Sequence, residues 1–221
     1  MENETLFMQR PIIVGKIKDF AWDAMKDKWG CGALIVFLSS LLTFIVPAIP
    51  AAFLEENSIP LLVCDLVTTI TTTGILFGFY VCFLDNARQK PLSTATLFTA
   101  FRNMNYFLKV IATEFLQYIF IFLWSLLLIV PGIIKMYSYS MTELILADHP
   151  EYSPLQAITA SKEMMYGHRM QLFYLQIAFS LWFLLTLVTF GIACLWVSPY
   201  YLTAKSKLYL EIKDRQEKRP A

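Results

Sequence analysis

The sequence predicts an all-α, polytopic membrane helix bundle of about six segments, accompanied by interfacial amphipathic helices. Three observations predict it. Of 221 residues, 57% are hydrophobic and only 16% charged, where a soluble domain carries roughly a quarter of its residues as charge. Mean hydropathy is +0.55. Several apolar runs are also too long to hide in one soluble core of this size. These features exclude a soluble enzyme, a disordered chain and a collagen-like repeat.

The elements follow in order. Between residues 10 and 30, Val14, Ile17, Phe20, Ala21, Ala24 and Met25 recur at helical spacing, while Lys16, Asp19, Asp23, Lys26 and Asp27 fill the other face. This pattern predicts an amphipathic helix over 10–30 lying at the membrane interface, with Trp22 and Trp29 at headgroup level and an end at Gly30. The first thirty residues lack a short apolar core with a small-residue cleavage site, so the first spanning helix is expected to insert uncleaved.

Cys31 to Leu54 holds 24 residues without a charge, enough to cross the roughly 20-residue hydrocarbon span. Pro47 and Pro50 bend its far end. The acidic link Glu55–Pro60 leads to a second span over 61–84. There Gly74 and Gly78 allow a close helix approach, and the threonines at 68, 69, 71, 72 and 73 offer hydrogen bonds across it. A second interfacial helix is expected over 92–106, starting near Ser93. Val110 to Val130 forms a third span, broken at Pro131-Gly132, and Ile133 to Ala147 returns. Ser153-Pro154 supplies an N-cap and first-turn pair for a helix through Tyr166. Met170 to Ala204 runs 35 residues without Asp, Glu, Lys or Arg. As one helix it would measure about 52 Å at 1.5 Å per residue, so two spans joined by a tight turn at Phe190-Gly191 fit better.

Positive charge sets the expected orientation. Lys and Arg concentrate in the N-terminal segment, in 85–109, in 148–170 and in the tail from Lys205, and are absent from 55–60 and from the turn at 190. All positive segments share the cytoplasmic side if 110–147 crosses twice or dips in and returns. The domain reading is an interfacial helix at 1–30, a transmembrane bundle at 31–210 and a basic cytoplasmic tail at 211–221.

Net charge is +1, which gives no basic excess for nucleic acid. Cys31, Cys64, Cys82 and Cys194 stand singly in apolar stretches, without metal or disulfide spacing. With two histidines, no histidine-rich metal site is expected, and His149 reads as a loop residue. No cofactor and no catalytic motif is predicted.

Ionisable residues at membrane depth are functional candidates by default, because a central charge costs about 2.5–3.5 kcal/mol on insertion scales. They are Asp65, Glu114, Lys135 and Glu143. Depth along the helices pairs Asp65 with Lys135, and brings Glu114 and Glu143 together within reach of Lys109 and Arg169. A second constellation is a basic rim for lipid headgroups made of Arg102, Lys109, His168 and Arg169, with Tyr106, Phe107, Tyr166 and Phe173 nearby.

The second half carries further order. Val130-Pro131-Gly132-Ile133-Ile134-Lys135-Met136-Tyr137-Ser138-Tyr139-Ser140-Met141 is followed by Asp148, Ala157-Ile158, Ser161-Lys162 and Met165-Tyr166-Gly167-His168-Arg169. Leu172-Phe173, Phe190-Gly191-Ile192 and Trp196-Val197-Ser198-Pro199-Tyr200 complete it. This spacing resembles an uncharacterised bacterial integral-membrane family, domain of unknown function 975. It is more distantly similar to the membrane domain of some glycerophosphodiester phosphodiesterases, whose catalytic barrel is absent here. Ile177-Ala178-Phe179-Ser180-Leu181-Trp182 departs from the family's usual Leu-Ser-Phe-Ile-Gly-Trp. The resemblance implies a bacterial inner-membrane protein and no particular activity. The functional expectation is a non-enzymatic, lipid-interacting or partner-binding role in envelope maintenance, with membrane lipids, a membrane protein or a second copy as partners. The alternative is a small transporter or a membrane subunit of one.

Overall fold

A computed structural model describes residues 12–54 and 58–218. Glu55–Asn57 of the acidic link lie outside the described residues. Among the described residues the fold is all-α: α1 Val14–Met25, α2 Trp29–Phe53, α3 Ile59–Ala87, a 3-10 segment Thr94–Arg102, α4 Met104–Leu127, α5 Ile129–Ser138, α6 Thr142–Asp148, α7 Pro154–Met164, α8 Arg169–Val188 and α9 Cys194–Glu217. Pairs α2–α3, α4–α5 and α8–α9 pack as hairpins, and α9 touches α1, α2, α3, α7 and α8.

Among the described residues four stretches are long and apolar enough to cross a membrane: Trp29–Pro50, Ile59–Ala87, Met104–Leu126 and Arg169–Val188. Length and composition thus qualify four segments among the described residues, and the expected count of about six is not shown. The other two expected segments correspond to α5–α6 and to α9. The first is split into helices of 10 and 7 residues, and the second carries charge from Lys205 onward.

Burial is distributed unevenly along the hairpins. At their tips large apolar side chains are bare, with Phe53 85% and Phe190 97% exposed. At the opposite end Ile17, Leu84, Leu144, Ala157, Met165, Leu208 and Ile212 form one core, and Met25, Ile35, Phe83, Leu97 and Leu202 a second.

The expected helix over 10–30 is two elements. α1 stops at Met25, Asp27 adopts φ +64 in the link, and Gly30 falls inside α2. Its apolar residues Ile17, Ala21, Ala24 and Met25 are buried, and the helix packs principally on α9. Trp22 and Trp29 meet edge-to-face at 5.2 Å, and Tyr200 of α9 stands beside both.

The partner of Gly78 is the 3-10 segment rather than a spanning helix. A Cβ at Gly78 would overlap the Leu97 carbonyl and lie 2.7 Å from Leu97 Cα. The nearby threonines turn inward on their own helix: Thr68, Thr71 and Thr73 donate to the carbonyls of Asp65, Val67 and Thr69. Local acceptors one turn back satisfy these hydroxyls without a second helix.

The bend between α4 and α5 falls at Leu128, which is extended (φ −163, ψ 144), three residues before Pro131. Pro131 has no N–H and crowds the carbonyl four residues back, so the helix opens there and proline enters the first turn of α5. Gly132 then lets α5 fold onto α4, since a Cβ would lie 2.9 Å from Ser125 Cα. The turn at 190 stands where expected, with Phe190 at φ +50 and Gly191 at φ +90. Residues 211–217 of the expected tail continue α9 as helix, with Ile212 buried and Asp214, Gln216 and Glu217 exposed, and 219–221 lie outside the described residues.

Candidate functional site

Polar side chains hold several joints of the bundle. Ser153 and Gln156 form a reciprocal capping box at the start of α7. Ser161 sits fully buried one face away, donates to Ser138 O at 2.9 Å and accepts from Met141 N at 3.2 Å. Those two backbone groups border the break between α5 and α6, so one hydroxyl satisfies both. Asp148 closes α6 with its side chain 3% exposed. It accepts from Tyr209 at 2.7 Å, from Lys213 at 2.9 Å and from Arg88. Burial alone would raise the Asp148 pKa, but hydrogen bonds from Lys213, Tyr209 and Arg88 outweigh it and hold the carboxyl below its ordinary 3.8.

The intramembrane candidates separate into two groups. Glu114 and Glu143 line one cavity of about 510 Å³, together with Gln117, Tyr80, Tyr118 and Tyr201. Gln117 follows Glu114 by one turn of α4 and donates to Glu143 Oε1 at 3.2 Å. Glu143 is 8% exposed, and the two carboxylates feel each other's charge. Behind the Tyr80 ring lies the Lys205 ammonium, 4.9 Å from its centroid. Tyr201 accepts from Gln176, which in turn accepts from Tyr137. Sequence reading missed Lys205 because it opens the charged tail. The available signal was its position four residues after Tyr201, on one face of a helix.

Asp65 and Lys135 do not meet. Among the described residues no ion pair joins them; Asp65 is exposed on α3, and Lys135 stands 4.3 Å above the Trp124 ring. The α3 and α5 faces that depth alone would match do not pack closely. Nor do the cations expected beside the glutamates serve them. Lys109 donates to Pro150 O at 2.9 Å, and Arg169 lies over the Tyr166 ring at 6.0 Å.

Of the four rim residues, Arg102 is exposed at the end of the 3-10 segment, Lys109 is held by the 150–151 loop, and His168 precedes α8 half-buried. Arg169 alone borders a groove, of about 470 Å³, lined by Ile133, Ile134, Tyr137, Met170 and Phe173. Lys135 lies within electrostatic range of Lys162 and of Arg169, a grouping that the sequence alone did not show.

No curated protein and no solved structure matches the chain, so the likeness to phosphodiesterase membrane domains is not shown. Residues 126–216 match the family model described as Protein of unknown function (DUF975). That interval starts just ahead of Pro131-Gly132 and runs through Ser161, Gly167 and Arg169 into α9, so this part of the chain is similar to the DUF975 family.

Proposed function

We propose that the protein is a non-catalytic membrane protein that holds an anionic phospholipid in the groove between α5 and α8. One observation carries this reading: an apolar groove of Ile133, Ile134, Met170 and Phe173 has Arg169 on its border, and Lys135, next in sequence to Ile134, lies within electrostatic range of both Arg169 and Lys162. Acyl carbon gains from the apolar wall, and the phosphate gains from three cations. Bare apolar hairpin tips support membrane residence, since water would leave Phe53, Ile129 and Phe190 unfavourably solvated. In this reading the site is a bacterial inner membrane, both termini are cytoplasmic, and the role lies in envelope maintenance.

Native mass spectrometry of the purified protein tests it. Phosphatidylglycerol or cardiolipin is expected to remain bound to the wild type and to be lost from Lys135→Ala/Lys162→Ala/Arg169→Ala. Equal retention by that variant overturns the reading. For orientation, a cysteine at position 152 in a cysteine-free background is expected to resist an impermeant label in intact cells, and external labelling there overturns the cytoplasmic placement.

A further inference from the structure

The cavity between α3, α4, α6 and α9 is separate from the lipid groove and does not depend on it. Its inner wall is polar: Glu114, Gln117 and Glu143 face Tyr80 and Tyr201. Its rim is apolar and open, where Leu76, Phe183 and Tyr118 are exposed, Tyr118 at 67%. The cavity thus has a charged end inside and a greasy mouth on the surface that the spanning helices present outward.

The charge inside does not balance. Two carboxylates share the wall, and among the described residues the one buried cation close by is Lys205, itself only 8% exposed. Its ammonium rests on the Tyr80 ring and makes no ion pair within 4.0 Å among the described residues. With both glutamates ionised, the site keeps a net negative charge. A second and independent sign is Gln117 Oε1, which is buried and accepts no hydrogen bond among the described residues. Gln117 gives its N–H to Glu143 and leaves an acceptor unanswered. A buried acceptor without a donor costs about 1–3 kcal/mol, so the wall as built lacks positive charge and N–H donors together.

We propose that this cavity binds a primary ammonium group carrying an apolar substituent, with its N–H groups on Glu143, Glu114 and Gln117 Oε1. The aromatic wall fits the same ligand, because ring faces attract a desolvated cation. A bare metal ion fits poorly, since most of the remaining lining is hydrocarbon and aromatic rings rather than oxygen. The open apolar mouth fits an amine whose tail stays in the bilayer. The amine of a lipid headgroup and a free amphiphilic amine share this chemistry.

Equilibrium binding of labelled phenethylamine to the purified full chain in a neutral detergent tests the proposal. Phenethyl alcohol, of the same shape without charge, is the control. Saturable binding of the amine is expected, with the alcohol weaker by at least about tenfold. Glu143→Gln/Glu114→Gln should lose a similar factor, whereas Glu163→Gln on an exposed face of α7 should lose none. Glu114→Lys guards against simple misfolding: it should reverse preference from phenethylamine to phenylpropionate. Equal affinity for amine and alcohol, or unchanged amine binding in the double variant, overturns the proposal, as does unchanged preference in a folded Glu114→Lys protein. Nanodiscs identify the source. Weaker probe binding in phosphatidylethanolamine than in phosphatidylcholine, which has the same net charge but no N–H, means the lipid amine competes, and equal binding means the site takes a free amine; either result stands with the proposal.

Discussion

Lys213 of α9 donates to Asp148 of α6 at 2.9 Å across 65 residues of sequence, and Tyr209, one turn earlier on α9, reaches the same oxygen at 2.7 Å. The C-terminal helix is therefore latched to the end of the α4–α6 excursion by one buried carboxylate. Arg88, just past the end of α3, completes the latch from the other side. Asp148→Asn keeps the shape and removes the charge, leaving two cations facing a neutral amide. Breaking a buried pair in this way costs about 3 kcal/mol, which thermal unfolding in detergent reads directly.

The same carboxylate gives a pH signature. Its folded-state pKa lies below the ordinary 3.8, so its stabilisation is complete above that value and fades as pH falls through the folded one. The stability gap between wild type and Asp148→Asn is expected to stay level from neutral pH down to about pH 5 and to close in stronger acid. A gap that closes between neutral pH and pH 5 would contradict this assignment.

Ser161→Ala strips Ser138 O and Met141 N of their common partner at a site with no exposed surface. Orphaning buried backbone groups costs about 1–3 kcal/mol. Hydrogen exchange should rise locally at residues 138–142, where α5 gives way to α6, ahead of global unfolding.

Gly78→Ala drives a methyl into the Leu97 backbone, which cannot rotate away as a side chain could. A loss of about 1–3 kcal/mol is expected. Gly30→Ala is the matched control, since nothing lies within 4 Å of its added carbon, and it should cost nothing measurable.

Asp65 and Lys135 occupy different faces, so their alanine substitutions are expected to add without coupling in a double-mutant cycle. Lys135 and Trp124 should instead couple by about 0.5–2 kcal/mol, the range of a cation over an indole ring. Coupling between Asp65 and Lys135 would place the two charges closer than the fold allows.

Much of the architecture was legible in the sequence because it depends on composition and local chemistry. Charge-free runs marked α2 and most of α3, α4 and α8, the Ser153-Pro154 pair marked the start of α7, and Phe190-Gly191 marked the α8–α9 turn. Glu114 and Glu143 were recognisable one by one, since a carboxylate in an apolar run is conspicuous by itself. What surrounds them was not legible. Depth along a helix fixes how far a charge lies from an end, but not the direction in which it faces. Two charges at matching depth, such as Asp65 and Lys135, can therefore point to different neighbours. Rotation of each helix about its axis is set by packing, and packing turned Lys205 toward Tyr80, Lys109 toward the 150–151 loop and the apolar face of α1 toward α9. Sequence determined that this chain forms long apolar helices broken at Pro131 and Gly191. Only the tertiary structure decided which charges share a cavity, because that choice depends on side-chain contacts between helices far apart in the chain.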